Sequence, residues 1–408
     1  MPAPLSSSRS RFAGVVMLLA GCAPAAPPLP APQPPVSAGQ IEVVESVPEG
    51  TSLGFDDLED TAPTWLSMLR SAKQRIDIEQ FYIADEPGRA LSPVLAAIES
   101  ASARGVKVRV LVDELFADKY PEPLARLAQH STLRRWDVKK SLGGVQHAKI
   151  FVVDDREAYL GSANFDWRSL QHIHEIGVRI QVPTLARAIR GQIDRDFGLA
   201  EGAAQTPAGE VWPWLAVGHD EVRLLASPRG SIADDGALDL DALVDAIDHA
   251  KLAIAIQLLA YDTRFRDGRP FTTLDDALRR AAARGVSVRL LVSHWQKRHP
   301  QAVQRLAALH GVEVRFITVP PAAEGFIPFA RVAHAKYMTI DDEVGWVGTS
   351  NWEGDYFFHS RNLALIARGP DLAEALRRVF ERAWGSPHVE DVAPTAVYEA
   401  PEISRTGP

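Results

Sequence analysis

One cysteine stands in 408 residues, at position 22. A lone cysteine is either a free thiol or a group put to use. Later in the chain no apolar run reaches the ~18 residues that a membrane-spanning helix needs. Nothing here suggests a polytopic protein of membrane-spanning helices. Positive charge is not in excess: 44 lysines and arginines face 52 acids, a formal charge of −8. The total argues against a strongly basic nucleic-acid binder, although it leaves room for a small basic cleft. No His, Asp and Glu residues cluster at metal-ligand spacing. Neither a metal nor another cofactor is expected.

What is present is the composition of an ordinary soluble protein, 46% hydrophobic and 24% charged. The length suits two domains or one large pseudo-symmetric unit with a substantial core. Residues 1–21 read as a targeting segment. Arg9 and Arg11 form its basic region, Phe12–Leu19 its apolar one, and Leu19-Ala20-Gly21-Cys22 resembles a bacterial lipobox. Cys22 is then either a buried thiol in a short membrane helix or the acylated residue of a lipoprotein. The small residues before it favour lipidation. Each buried CH₂ of such an anchor adds about 0.8 kcal/mol, so several acyl chains hold a protein on a bilayer. Removing residues 1–21 also removes two arginines and no acid, bringing the charge from −8 to about −10. The protein is expected to be exported and anchored on the periplasmic side of the envelope, with Ala23 compatible with the outer membrane. Residues 22–39 are a Pro/Ala-rich spacer.

The rest of the chain is organised around a stretch that occurs twice. HAKIFVVDDREAYLGSAN begins at His147, and HAKYMTIDDEVGWVGTSN begins at His334. Every matched position is displaced by the same 187 residues, from His147 to His334 and from Asn164 to Asn351. A His and a Lys two apart on a strand share one face. The strand Ala148–Val153 should turn at Asp154-Asp155, and a second strand, Ala158–Leu160, should return Gly161-Ser162-x-Asn164 beside them. The patch then holds His147, Lys149, Ser162 and Asn164, and its copy holds His334, Lys336, Thr349 and Asn351. Imidazole, ammonium, hydroxyl and amide together suit a phosphate, with Ser162 and Thr349 expected to touch its oxygens. Asp154 and Asp341 sit at strand-to-turn junctions, where an acid caps backbone amides; a structural role is expected for both.

The surroundings repeat as well. Helices are predicted over Pro63–Ala72, Ala90–Ala103, Pro123–Gln129 and Leu185–Phe197, with strands over Ile76–Ile83 and Val106–Val112. After a linker at 198–210, helices over Leu238–His249 and Leu274–Ala283 and strands over Ala253–Leu259 and Val286–Val292 bring the order back. ARGVKVRVLV pairs with ARGVSVRLLV outside the motif, independent evidence of duplication. The fold class is α/β, with halves at 40–197 and 211–386, each a mixed sheet flanked by helices. A polar tail from Pro387 to 408 is expected to be loosely attached.

The doubled motif resembles that of the phospholipase D superfamily. GSANFDWRSL after the first copy, and IPFARVAHAKYM and GTSNWEGDYF around the second, look most like the animal lysosomal phospholipase-D-like 5′ exonucleases. The similarity runs from about Ser46 to Glu390. It implies two halves packed face to face with both motifs at one active site.

The chemistry of the motif fits that expectation. One neutral imidazole would attack phosphorus to form a phosphohistidine, and the other would protonate the leaving alkoxide and then activate water or an alcohol. Lys149 and Lys336 would clamp the non-bridging oxygens, and one good donor of that kind contributes roughly 3–4 kcal/mol. Asn164 and Asn351 would add donors. Two cations and two amides make a metal unnecessary. Glu175 lies in HEIGVRI, expected beside the first motif strand, and the same offset in the second copy reaches the neutral Asn362. In the superfamily an acid at this place bonds the motif histidine and the N-terminal histidine is usually the one modified. His147, backed by Glu175, is therefore expected to be the nucleophile, and His334 the general acid/base. His172, His174, His294, His299 and His359 are read as structural or exposed, with His294 and His359 also within reach of a substrate groove. Trp167, Trp295 and Phe357 are read as core, while Trp352 and Tyr356 could line the cleft. Three functions are weighed. The lead is a nuclease acting on single-stranded ends. The alternative is phospholipid cleavage or phosphatidyl transfer of the cardiolipin-synthase kind. The third is a non-catalytic phosphate binder.

Overall fold

VKVRVLV and VSVRLLV alternate and then turn fully apolar, as strands covered on both faces must. In the computed structural model they are Lys107–Asp113 and Ser287–Ser293, the inner strands of two sheets. Residue 1 and residues 39–203, 212–230 and 237–404 are described. The expected signal segment, Cys22 and most of the spacer lie outside them, as does much of the expected linker.

Each half builds the same sheet. In the first, strands run in the order Ile41–Ser46, Ile173–Ile180, Glu157–Gly161, Ile150–Val153, Arg75–Gln80, Lys107–Asp113, Thr132–Trp136. The second repeats it with Asp220–Ser227, Asn362–Arg368, Val344–Gly348, Tyr337–Ile340, Ala253–Leu258, Ser287–Ser293, Val312–Ile317. The last three strands of each series are parallel and the others antiparallel. The helices Leu91–Ala103 and Thr273–Ala283 both end at Arg-Gly, where Gly105 (φ 90°) and Gly285 (φ 89°) take the left-handed turn. The amides of Val106 and Val286 then bond back to Ala101 and Ala281 at 3.1 Å, closing both helices the same way.

Period two sorts the strand residues between cores. Phe151 and Val153 join the helices Thr61–Ser71 and Leu91–Ala103 in an outer core of the first half. Ile150 and Val152 face a central core that also takes Leu363 and Leu365 from the second half. The helices Pro183–Ala200 and Pro370–Trp384 supply that same core. The halves are therefore two faces of one interior within a unit spanning Pro34–Pro408.

Three expectations change. The helix Pro183–Ala200 runs into the stretch read as a linker, because its last turn still packs Phe197 in the central core. The long strand expected over Ile76–Ile83 stops at Gln80, and Ile83–Ala84 pairs instead with Phe165–Asp166. The tail is stitched on rather than loose. Val389–Asp391 adds an edge strand to Val312–Ile317, the Tyr398 ring lies 5.0 Å from that of Phe316, and the Ile403 carbonyl accepts from the Phe329 amide at 2.9 Å.

Candidate active site

His147 and His334 sit just before their strands, not within them: regular pairing begins at Ile150 and Tyr337. Each is held by the opposite half. The His147 amide donates to the Arg361 carbonyl and the His334 amide to the His174 carbonyl, both at 2.8 Å. Arg361 and His174 are themselves 187 positions apart, so the two contacts are related by the internal symmetry. Both histidines line one cavity of about 260 Å³, together with Asn164, Asn351 and Tyr356.

The second ring contacts correct the expected pairing of Glu175. Its carboxylate meets His334 Nδ1 at 2.8 and 3.0 Å, and no bond joins it to His147. His147 Nδ1 instead faces the Thr349 carbonyl at 2.9 Å and Asn362 Oδ1 at 3.2 Å. The physical reason is strand order. Ile173–Ile180 pairs with Glu157–Gly161, not with the first motif strand, and its start projects across the symmetry axis into the other half. Both Nδ1 atoms therefore meet acceptors, which fixes the neutral ring with its proton on Nδ1 and leaves Nε2 for substrate.

Ser162 and Thr349 do not reach the cavity. Both are fully buried. The Ser162 hydroxyl donates to the Ile176 carbonyl at 3.1 Å and accepts from the Ile176 amide at 3.1 Å. The Thr349 hydroxyl donates to Asn362 Oδ1 at 2.9 Å. The turn that follows each short strand directs these hydroxyls back beneath the imidazoles, where they brace the groups that orient the rings.

Lys149 and Lys336 are also buried and do not line the cavity; each donates to the carbonyl of its own motif histidine, Lys149 at 2.6 Å. Burial lowers both ammonium pKa values. Lys149, further repelled by Lys336, falls well below the usual lysine range. Lys336 falls to about 7 through burial, against the pull of Glu175 and Glu353. Burial, then the charges of Lys149, Lys336 and His334, push His147 well below the ordinary imidazole value. His334 is also lowered by burial, but Glu175 opposes the shift. Burial raises the Glu175 carboxyl, yet its bonds and charge attraction to His334 and Lys336 leave it below the usual range.

Asp154 accepts from the amides of Lys73, Gln74 and Arg75 at 2.8–2.9 Å, and Asp341 from those of Lys251, Leu252 and Ala253 at 2.6–2.8 Å. Both lie at the strand ends remote from the histidines. Trp352 is fully buried against Trp346 and does not line the cavity, whereas Trp295 does. His359 faces Asp355 at 3.1 Å, and His172 faces Glu324 at 3.1 Å. Burial lowers His294 and His174 each to about 4. Among the described residues no three His, Cys, Asp or Glu side chains gather as a metal-holding group.

The sequence reading missed the aromatic wall of the cavity, formed by Phe81, Tyr82, Phe116 and Tyr120. Phe81 packs edge-on to His147 at 5.1 Å, and Tyr82 stacks between Phe116 at 5.8 Å and Tyr120 at 5.5 Å. The pair Phe81-Tyr82 immediately after the strand Arg75–Gln80 was its visible signal.

The family description "Cardiolipin synthase, PLD-like domain" matches residues 65–197 and 243–384, one match per half. Phospholipase D Z of Dictyostelium discoideum is 33% identical over 387 residues, covering 86% of this chain and 90% of that protein. The 5'-3' exonuclease PLD4 of Mus musculus is 31% identical over 403 residues, covering 86% and 80%. The fold is also similar to that of a phosphatidylserine synthase from Haemophilus influenzae Rd KW20, with TM-score 0.63, 13% identity, and 83% and 87% of the two chains covered. With two matched repeats, and relatives aligned along most of its length, the chain belongs to the phospholipase D superfamily, as a phosphodiesterase of the branch that includes the animal PLD3 and PLD4 proteins.

Proposed function

We propose that this enzyme cleaves phosphodiesters of single-stranded nucleic acid, without a metal, through a phosphohistidine on His147. The observation that carries the reading is the pair of imidazoles, each with Nδ1 engaged, at one cavity walled by stacked aromatic rings. His147, lowered well below the ordinary imidazole value by burial, takes the neutral role; His334, also lowered by burial but opposed by Glu175, takes the proton-donating role. The roles stay as the sequence suggested, but for the opposite reason: the carboxylate sustains the acid rather than the nucleophile.

His147 Nε2 attacks phosphorus, the P–O bond to the leaving alkoxide breaks, and His334 gives that oxygen its proton. His334, now neutral, takes a proton from water as the water attacks the phosphohistidine and expels His147. Asn164 and Asn351, which line the cavity, and the charges of Lys149 and Lys336 buried behind it stabilise the non-bridging oxygens as charge builds. The aromatic wall offers stacking faces for a base. Relatives named as exonucleases support the nucleic-acid substrate. Relatives named as phospholipases D and the family description support a second reading, phospholipid cleavage or phosphatidyl transfer. Lipid attachment at Cys22 and an envelope location remain part of the proposal.

Incubation with single-stranded DNA and with phosphatidylglycerol vesicles, both in excess chelator, separates the readings. Mononucleotides support the first; free headgroup or a new phospholipid supports the second; activity restored only by a divalent ion defeats the metal-free reaction. Trapping with a slow substrate should place phosphate on His147. His334→Ala should still form the adduct from a substrate with a good leaving group, and His147→Ala should form none. A stable adduct on His334 would reverse the assignment.

A further inference from the structure

One segment of the second half is built onto the first. Ile327 and Ala330 pack into the outer core of the first half. Glu324 accepts from Arg89 Nη2 at 2.7 Å, Arg168 Nη1 donates to the Pro328 carbonyl at 3.2 Å, and Arg331 Nη1 donates to the Glu49 carbonyl at 3.0 Å. Val332–Ala333 then pairs in parallel with Ile173–Ile180. Between these anchors Phe329 is held at φ 58°. That region is rarely adopted by a bulky residue and is strained. Phe329 is also 38% exposed. The surrounding contacts hold an aromatic ring at the rim of the catalytic cavity, which Phe329 lines.

Beside it stands Lys119. Its Nζ lies 4.8 Å from the Phe329 ring and 5.8 Å from those of Phe116 and Tyr120. Arg168, another cation of the cavity wall, is neutralised by Asp166 at 2.7 Å. Among the described residues no ion pair holds Lys119, and it is exposed. The cavity itself, about 260 Å³, is smaller than the ~300–1,000 Å³ that encloses a drug-sized ligand. Only one unit of a polymer fits inside, so the next phosphate and base must lie at the rim.

We propose that Lys119 and Phe329 form a second subsite that holds the nucleotide adjoining the scissile phosphate, Lys119 on its phosphate and Phe329 on its base. The inference rests on the nucleic-acid reading above and specifies how that substrate is held. Lysine supplies a point charge for phosphate, and stacking on an aromatic face tolerates any base. An acyl chain would use the ring and leave the cation unused.

The test compares kcat/KM for a single-stranded oligonucleotide with that for a nucleoside p-nitrophenyl phosphodiester, which carries one nucleoside only. Lys119→Ala and Phe329→Ala should each lower the oligonucleotide-to-small-diester ratio about tenfold. Lys119→Arg and Phe329→Trp, which keep the charge and the stacking face, should restore it. Lys119→Ala should also flatten the salt dependence of oligonucleotide KM. Equal losses on both substrates, or an unchanged ratio, overturn the subsite while leaving the nuclease reading intact. Turnover of the small diester with no cleavage of single-stranded DNA by the unaltered enzyme overturns the nucleic-acid reading, and the subsite with it.

Discussion

Glu175 and Asn362 occupy equivalent places in the two halves, and that single difference breaks the symmetry of an otherwise matched pair of histidines. Glu175 opposes the fall in His334 pKa, while Asn362 gives His147 only an amide. His147 must be neutral to attack, and its depressed pKa keeps it so on the acid side of the ordinary imidazole value of about 6.5. His334 and Lys336 must carry protons, and the Lys336 pKa is lowered to about 7. The pH profile of kcat/KM should therefore peak on the acid side of ~6.5 and decline as pH rises through ~7. Glu175→Gln removes the group that sustains the imidazolium. Its kcat should fall about 10²-fold or more, with the alkaline limb displaced to lower pH. Asn362→Asp should instead raise His147 and shift the acid limb upward. Profiles measured on a substrate with a poor leaving group test both, and an alkaline limb unmoved by Glu175→Gln would remove His334 from the acid role.

At the scale of the element, each motif strand is tied down at its far end by an acid in a left-handed turn. Asp154 has φ 53° and Asp341 φ 55°, followed by Asp155 and Asp342 at 55° and 57°. The three backbone amides that each carboxylate satisfies lead into the neighbouring antiparallel strand, Arg75–Gln80 in one half and Ala253–Leu258 in the other. The turn acid therefore sets the register between motif strand and core strand, and so the depth at which His and Lys emerge. Asp341→Ala leaves those amides unpaired and should cost about 1–3 kcal/mol. Asp341→Asn should cost less, because it keeps an acceptor oxygen and tolerates the turn. Urea unfolding of the two variants gives the order; equal stabilities would show that the amides find solvent without loss.

Across the whole molecule, the central core and a buried ion pair join the halves. Arg361, whose carbonyl receives the His147 amide, bonds Asp196 through Nε at 2.8 Å and Nη2 at 2.9 Å, with both side chains fully buried. The catalytic geometry thus depends on the seam between helix Pro183–Ala200 and strand Asn362–Arg368. No helix among the described residues is long and apolar enough to cross a membrane. In the proposed scheme attachment is through Cys22. Cys22→Ser should block lipid attachment and leave the protein uncleaved or mislocalised. The chain beginning at Ser37 should be soluble and active on soluble phosphodiesters. A folded but inactive product from Ser37 would show that the anchor or the bilayer takes a direct part in catalysis.

The α/β class, the duplication, the meeting of the two histidines and the turn role of the acids could all be read from the sequence. Each is a local matter: period, spacing and turn chemistry repeat 187 residues apart. Which histidine receives Glu175 could not be read that way. Sequence offset places Glu175 near the first motif, but strand order and the symmetry axis carry it to the second. The inward turn of Ser162 and Thr349 escaped for the same reason, because a hydroxyl's direction depends on which partner lies behind it. The aromatic wall and the Phe329 rim were likewise decided in three dimensions. Phe81 and Phe329 lie in different halves and meet only where a strand end and a crossing loop close on one cavity.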